Sequence, residues 1–263
     1  MNRSQVSNLM DQNGGPQPTP GTGMEEGVRA LKRKARVAGW WYLVLVLFGP
    51  FDLMYVPGKL IVDGNATETA HRVLASQLLF RVGIASYLAG QVITILLVLA
   101  LYRLFKDVNH RQAVLMVVFS LLQVPMAFLN EVNQFAALAL FRGAQYLSVV
   151  DAAQRNALAM FFLDLYGHGN VVSEVFWGLW LIPMGLLVIR SGFIPRILGW
   201  WLIVNGFTWL ALSFAGQVWP PYVHAIWKFG QPIFFGEIAF MLWLVIIGAR
   251  RKRPAVAARP AAA

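Results

Sequence analysis

Six stretches of almost uninterrupted apolar residues divide this chain, and each is long enough to cross a lipid bilayer as a helix. A transmembrane helix needs roughly 20 apolar residues to span a hydrocarbon core about 30 Å thick. No stretch alternates apolar and polar residues over the roughly ten positions of a membrane β-strand. The pattern therefore predicts an all-α integral membrane protein, a bundle of six transmembrane helices. The predicted spans are Val37–Val56, Val82–Tyr102, Ala113–Asn130, Val171–Ile189, Ile197–Ala215 and Pro232–Ala249.

Two connections on one side of the predicted bundle are long enough to contain short helices of their own. In the first, Asn65 is followed three residues later by Glu68, as at a helix N-terminus. The second begins with a comparable capping residue and continues with apolar residues at helical spacing. We expect both to form short helices at the outer membrane interface. Gly167 and Gly169 favour a break before the fourth span, although one continuous helix over residues 152–189 stays open.

The two ends of the chain differ in composition from the middle. Residues 1–30 are polar and rich in Gly, Pro, Gln and Ser, which is typical of disorder. They contain no apolar core of a cleaved signal peptide, so the first span is expected to act as an uncleaved anchor. The predicted organisation is a disordered cytoplasmic tail over residues 1–30, a transmembrane domain over 31–250, and a basic, Ala-rich tail over 251–263.

Lys and Arg are distributed unevenly between the two sides of the predicted bundle. Most of the 22 basic residues lie in the termini and in the two connections on the same side as the termini. Because basic residues are retained on the cytoplasmic side of a membrane, both termini are predicted to be cytoplasmic.

Composition excludes several classes of function. Only 13% of residues are charged and 58% are hydrophobic, whereas a soluble domain has about 25% charged residues. The net charge of +10 arises from basic residues beside the apolar stretches rather than from a basic surface, so no nucleic-acid partner is predicted. The predicted partner is the lipid bilayer, and the oligomeric state stays open. Cysteine is absent, which excludes thiolate nucleophiles and Cys-ligated metals.

Ionisable residues within and beside the spans are predicted to lie in the outer half of the bilayer. Their depth follows from counting about 1.5 Å per residue from the basic residue at the cytoplasmic end of each span. A charge facing lipid at mid-depth costs at least about 2.5–3.5 kcal/mol, so these groups should face inward or meet water. The hypothesis is a polar pocket that binds or moves a small ligand, a cation or a proton. Its candidate residues are Asp52, Arg81, Glu131, Asp164, His168, Glu174 and Glu237.

Within this set, Glu174 and Glu237 are the leading candidates because they lie deepest. Arg81 would serve as their counter-charge or as the anchor of an acidic ligand. Two alternatives stay open: a structural or partner-binding subunit whose polar layer only fixes helix packing, and a membrane enzyme using a carboxylate or a metal. The spacing of Asp164 and His168 suits two metal ligands on a helix, but Gly167 and Gly169 disfavour that helix. No catalytic residue, metal site or cofactor is therefore predicted.

A short repeat opens two of the predicted spans. The sequences "RVAGWW" (residues 36–41) and "RILGWW" (residues 196–201) both lie at the predicted cytoplasmic face. The favoured interpretation is interfacial anchoring, with Arg at the headgroups and Trp in the aromatic belt. A duplicated module, as found in transporters, is the alternative.

Several of these segments together resemble a known family. "FGPFDLMYVPGKLIV" (residues 48–62), "FLDLY" (residues 162–166) and above all "RSGFIPRILG" (residues 190–199) resemble the bacterial multi-pass membrane family called domain of unknown function 4386. The resemblance covers about residues 35–250. It implies an all-helical protein of the bacterial cytoplasmic membrane, and it supplies no activity, substrate or catalytic residue.

Overall fold

A computed structural model describes residues 20–250, with side chains from residue 25, and this range is almost entirely helical. The helices are α1 Pro20–Pro50, α2 Val56–Leu60, α3 Ala66–Ala75, α4 Gln77–Phe105, α5 His110–Arg142, α6 Ala152–Leu179, α7 Leu181–Ser191, α8 Arg196–Val218 and α9 Val223–Leu242. Two π-helical turns, Phe51–Tyr55 and Trp243–Ile247, follow α1 and α9. Short 3-10 turns occur at Gln145–Leu147 and Pro220–Tyr222. Residues 1–19 of the predicted N-terminal tail and the predicted C-terminal tail lie outside the described range.

Six helical segments of the described range are long and apolar enough to cross a membrane. They extend beyond nearly all of the predicted limits, because the helices continue into the polar flanks. The predicted all-α bundle of six transmembrane helices is therefore confirmed. The spans are Glu25–Leu60, Gln77–Phe105, His110–Arg142, Ala152–Ser191, Arg196–Val218 and Pro220–Ile247.

The six spans form a closed ring in chain order. α1 packs against α4, α4 against α5, α5 against α6, α6 against α8, and α8 against α9. The π-helical turn after α9 packs back onto α1, where Gly39 meets the backbone of Leu244 and Val245. A ring of this kind leaves a central space that side chains from every span can reach.

The first span starts earlier than its sequence suggested and contains a π-helical turn after Pro50. Helix α1 begins at Pro20, inside the segment predicted to be disordered, and Arg29 pairs with Glu25 one turn away at 3.3 Å. Proline lacks a backbone N–H and disturbs the helix around it. Here the chain stays helical by widening into the π-helical turn directly after Pro50, in which the N–H of Val56 donates to the carbonyl of Phe51.

The first of the two predicted interfacial helices is α3. The side chain of Asn65 accepts a hydrogen bond from the N–H of Glu68 at 2.9 Å, as its sequence predicted. Arg72 donates to Glu68 at 2.7 Å one turn later, and this contact lowers the pKa of the Glu68 carboxyl below its usual value.

The second predicted interfacial helix is part of the fourth span instead. Helix α6 runs without interruption from Ala152 to Leu179, so the break expected at Gly167 and Gly169 is absent. The glycine at 169 has a packing role: a Cβ there would overlap the side-chain amide of Asn130 on α5. The chain turns later, at Trp180, before α7 completes the span.

These two glycines give a matched test of that interpretation. A Cβ at Gly167 would meet nothing within 4 Å, so Gly167→Ala is expected to stabilise α6 by about 0.5–1 kcal/mol through helix propensity alone. Gly169→Ala is expected to destabilise the protein by about 1–3 kcal/mol, because Asn130 has to move away. Thermal unfolding of both variants, followed by tryptophan fluorescence, measures the difference. An equal shift of the two melting temperatures would contradict the packing role.

Glycines also bring the fourth and fifth spans into backbone contact. Gly178 faces the carbonyl of Gly206, and one heptad away Gly185 and Gly199 face each other across α7 and α8. Small residues at this spacing let membrane helices approach closely. Gly199 belongs to the second copy of the short repeat. The adjacent Trp200 and its counterpart Trp40 are each 57% exposed on the outside of the bundle.

Candidate functional site

A cavity of about 250 Å³ lies inside the ring, and every span contributes to its lining. The lining residues are Tyr42, Leu45, Val46, Phe48, Gly49, Asp52, Leu53, Tyr87, Gly90, Gln91, Thr94, Gln123, Trp177, Trp180, Trp209 and Glu237. Two of the predicted site residues, Asp52 and Glu237, are therefore brought together at one cavity.

The cavity lining extends along several turns of the first span. Counted from the basic residue at the terminal end of the first span, the lining extends from about 9 Å at Tyr42 to about 24 Å at Asp52. Asp52, at the far end of this lining, and Tyr42 therefore lie about ten residues apart along the same span. The placement of the candidate residues in the outer half of the bilayer stays a prediction.

Asp52 projects from the π-helical turn of the first span. Its side chain is 8% exposed, and its Oδ1 atom has no hydrogen-bond partner among the described residues. The Oε1 atom of Gln91, which also lines the cavity, is likewise unpaired within residues 25–250. Buried polar atoms are normally hydrogen-bonded, so two free acceptors at one cavity indicate a missing donor. Single-turn π-helical insertions are frequent at functional sites.

Glu237, on α9, has a different environment. Its Oε2 atom accepts a hydrogen bond from the hydroxyl of Tyr42 at 2.5 Å, and its Oε1 atom accepts one from Asn205 at 2.9 Å. The indole N–H of Trp209 donates to the same Oε1 at 3.5 Å. These donors come from α1 and α8, so the Glu237 carboxyl joins three spans. The arrangement is that of a structural junction at the edge of the cavity.

Aromatic rings form much of the cavity wall. Trp177 meets Trp209 edge-on with 5.3 Å between ring centroids, and Tyr42 lies 6.1 Å from Trp180. Among the described residues, no Lys, Arg or His lines this cavity. The wall therefore combines aromatic rings with two carboxyl groups, and none of its described residues is basic.

A second buried polar cluster adjoins the cavity through Tyr87. The Tyr87 hydroxyl donates to Asn170 Oδ1 at 3.4 Å, and Asn130 Nδ2 donates to the same oxygen at 3.1 Å. Asn130 also donates to the carbonyl of Tyr166 at 2.9 Å. These bonds join α4, α5 and α6. The neighbouring Glu131 is 1% exposed and accepts one hydrogen bond, from Gln134 at 3.2 Å.

The other predicted site residues lie apart from the central cavity. Asp164 and His168 are exposed and border a separate cleft of about 590 Å³ near Pro57. Arg81 is exposed and pairs with no carboxylate of residues 25–250, and Glu174 is half-buried without lining the cavity. No group of three His, Asp or Glu side chains in the described range is arranged to hold a metal ion.

Sequence reasoning missed the aromatic residues and Gln91. In a single sequence, a tryptophan that faces a cavity looks the same as one that faces lipid. The one available signal was the position of Trp177 and Trp180 inside a predicted span, away from either interface, where tryptophan is less expected.

Comparison with known proteins places the chain in a family. Residues 37–248 match the family model described as Domain of unknown function (DUF4386). A protein of Archaeoglobus fulgidus, named only as an uncharacterized protein, is 33% identical over 92 residues. That alignment covers 34% of this chain and 51% of the relative, so the chain spans about half the length of this relative. No solved structure gives a significant match. Since the family model matches most of the chain, the protein belongs to the DUF4386 family.

Proposed function

We propose that this multi-pass membrane protein binds a small molecule in the central cavity, with Asp52 as the principal contact. The observation that carries the proposal is the free Oδ1 atom of Asp52, buried at a cavity to which all six spans contribute. Leaving a buried polar group unpaired costs about 1–3 kcal/mol, and more for a charged group. A bound molecule with a hydrogen-bond donor would remove that cost.

The size of the cavity supports a ligand rather than a lone water molecule. A dry cavity of about 150 Å³ in another protein binds benzene. By simple proportion, about 250 Å³ holds a molecule of roughly ten non-hydrogen atoms.

A second candidate role applies to Glu237. Because its carboxyl accepts donors from α1 and α8, it supports the alternative in which the polar layer fixes helix packing. The two acids then have different roles in one cavity: Asp52 contacts the ligand, and Glu237 holds the walls together.

Filling the cavity tests the proposal. In Gly90→Leu the new side chain projects into the cavity, where a Cβ meets only ordinary contacts with Leu45 and Phe48. The variant is expected to fold and to lose the change in tryptophan emission that phenethylamine or 2-phenylethanol causes in the parent protein. Gly167→Leu, the same substitution on α6 outside this cavity, should keep that response. An unchanged response in Gly90→Leu would overturn the proposal.

We also propose that the protein lies in the cytoplasmic membrane with both termini in the cytoplasm, on the basis of its basic residues. The chain has no cysteine, so single cysteines report orientation without background. A membrane-impermeant thiol reagent is expected to label Tyr146→Cys in intact cells and to label Lys106→Cys only after the cells are opened. The reverse pattern would contradict the orientation.

A further inference from the structure

We infer that the ligand of the central cavity is a protonated organic amine with an apolar body. The inference rests on the proposed function and specifies the chemical class of the molecule that the cavity binds. Three features of the central cavity support it: unpaired hydrogen-bond acceptors, aromatic residues in the wall, and a lining in which no described residue is basic.

The charge of the lining favours a cation over an anion. Asp52 and Glu237 are the acidic side chains that line the cavity, and no Lys, Arg or His of residues 25–250 lines it. An anionic ligand would add a like charge to these groups in surroundings that water screens poorly. A cation offsets the charge of Asp52, whereas Glu237 is already held by three donors.

The hydrogen-bonding groups favour an ammonium N–H. The free Asp52 Oδ1 and Gln91 Oε1 atoms are both acceptors, so they require a ligand that donates. A bond between an ammonium N–H and a carboxylate is about twice as strong as one between neutral partners. An alcohol or an amide can also donate to a carboxylate, but only an ammonium ion adds the attraction between opposite charges, in surroundings that water screens poorly.

The aromatic wall favours an organic cation over a metal ion. Tryptophan faces attract cations, and the attraction grows where water is excluded. Trp177, Trp180 and Trp209 all border the cavity. A metal ion would need several oxygen or nitrogen ligands, and no group of three His, Asp or Glu side chains in the described part of the chain is arranged for one.

Two probes of equal size and different charge test the inference. Phenethylamine is an ammonium ion at pH 7, and 2-phenylethanol is its neutral counterpart. Each is titrated into the full-length protein in nanodiscs while tryptophan emission is recorded, since three tryptophans border the cavity. Phenethylamine is expected to bind at least about tenfold more tightly than the alcohol. The preference is expected to disappear in Asp52→Asn and to persist in Asp164→Asn, whose carboxyl borders the other cleft.

The outcomes separate this inference from the proposed function. If both probes bind equally and Gly90→Leu abolishes both responses, the cavity binds small molecules but the amine class is wrong. If neither probe changes the emission at millimolar concentration, the amine class and the proposed binding function are both overturned. If Asp52→Asn does not fold, the comparison of the two probes on the parent protein still decides the class.

Discussion

Replacement of Asp52 by Asn is expected to abolish most phenethylamine binding while leaving the protein at least as stable as before. The Asp52 carboxyl is buried and has a free Oδ1, so it carries a desolvation cost that no hydrogen bond to this oxygen offsets. Asn keeps the shape and removes the charge. Loss of one charge-assisted hydrogen bond of about 1.5–3 kcal/mol corresponds to roughly 10- to 150-fold weaker binding. Charged groups kept for function commonly reduce stability.

Fluorescence titration and thermal unfolding of the same preparation measure both effects. Asp164→Asn is the control, since it makes the same chemical change at an exposed position. A melting temperature that falls together with binding would show that Asp52 holds the bundle together, and it would remove the ligand-contact role.

Replacement of Glu237 by Ala is expected to reduce the stability of the protein strongly, whereas the Asp52 variant keeps its stability. The substitution leaves the Tyr42 hydroxyl and the Asn205 amide without their acceptor and removes a junction between three spans. Each buried donor left unpaired costs about 1–3 kcal/mol, so loss of the acceptor for two donors costs about 2–6 kcal/mol in total. Unfolding in a denaturing detergent series, followed by tryptophan emission, gives the change in stability.

Glu174→Ala is the matched control for this variant. Glu174 is half-buried in another span and has no hydrogen-bond partner among the described side chains, so its removal should change stability by less than about 1 kcal/mol. Tyr42→Phe, which removes one of the donors, should fall between the two. Equal destabilisation by Glu174→Ala and Glu237→Ala would contradict the junction.

The fold was predictable because membrane spans depend mainly on the length and hydropathy of segments along the chain, and both can be read from the sequence alone. Each predicted span lies within or almost within an observed one, since about 20 apolar residues leave few alternatives in a bilayer. Gly167 and Gly169 show a feature that hydropathy along the chain does not predict. A glycine in a helical segment indicates either a break or a close approach, and only the position of Asn130 on another helix decides between them.

The site was predictable in part for the same reason. Counting along a span gives the depth of a residue but not the direction in which its side chain points around the helix. Asp52 and Glu237 face the centre, whereas Glu174 lies at a similar depth and does not reach the cavity. Arg81 was assigned as a counter-charge from depth alone, and it lies exposed on α4.

The central claim is that six spans enclose a cavity in which Asp52 contacts a bound ammonium ion. A cryo-electron microscopy structure of the protein in nanodiscs with phenethylamine tests it most directly. The predicted result is density for the probe between Asp52 and the tryptophans of the cavity wall, with the amine nitrogen within about 3 Å of a carboxylate oxygen. An empty cavity, or an Asp52 side chain directed away from the centre of the ring, would contradict the claim.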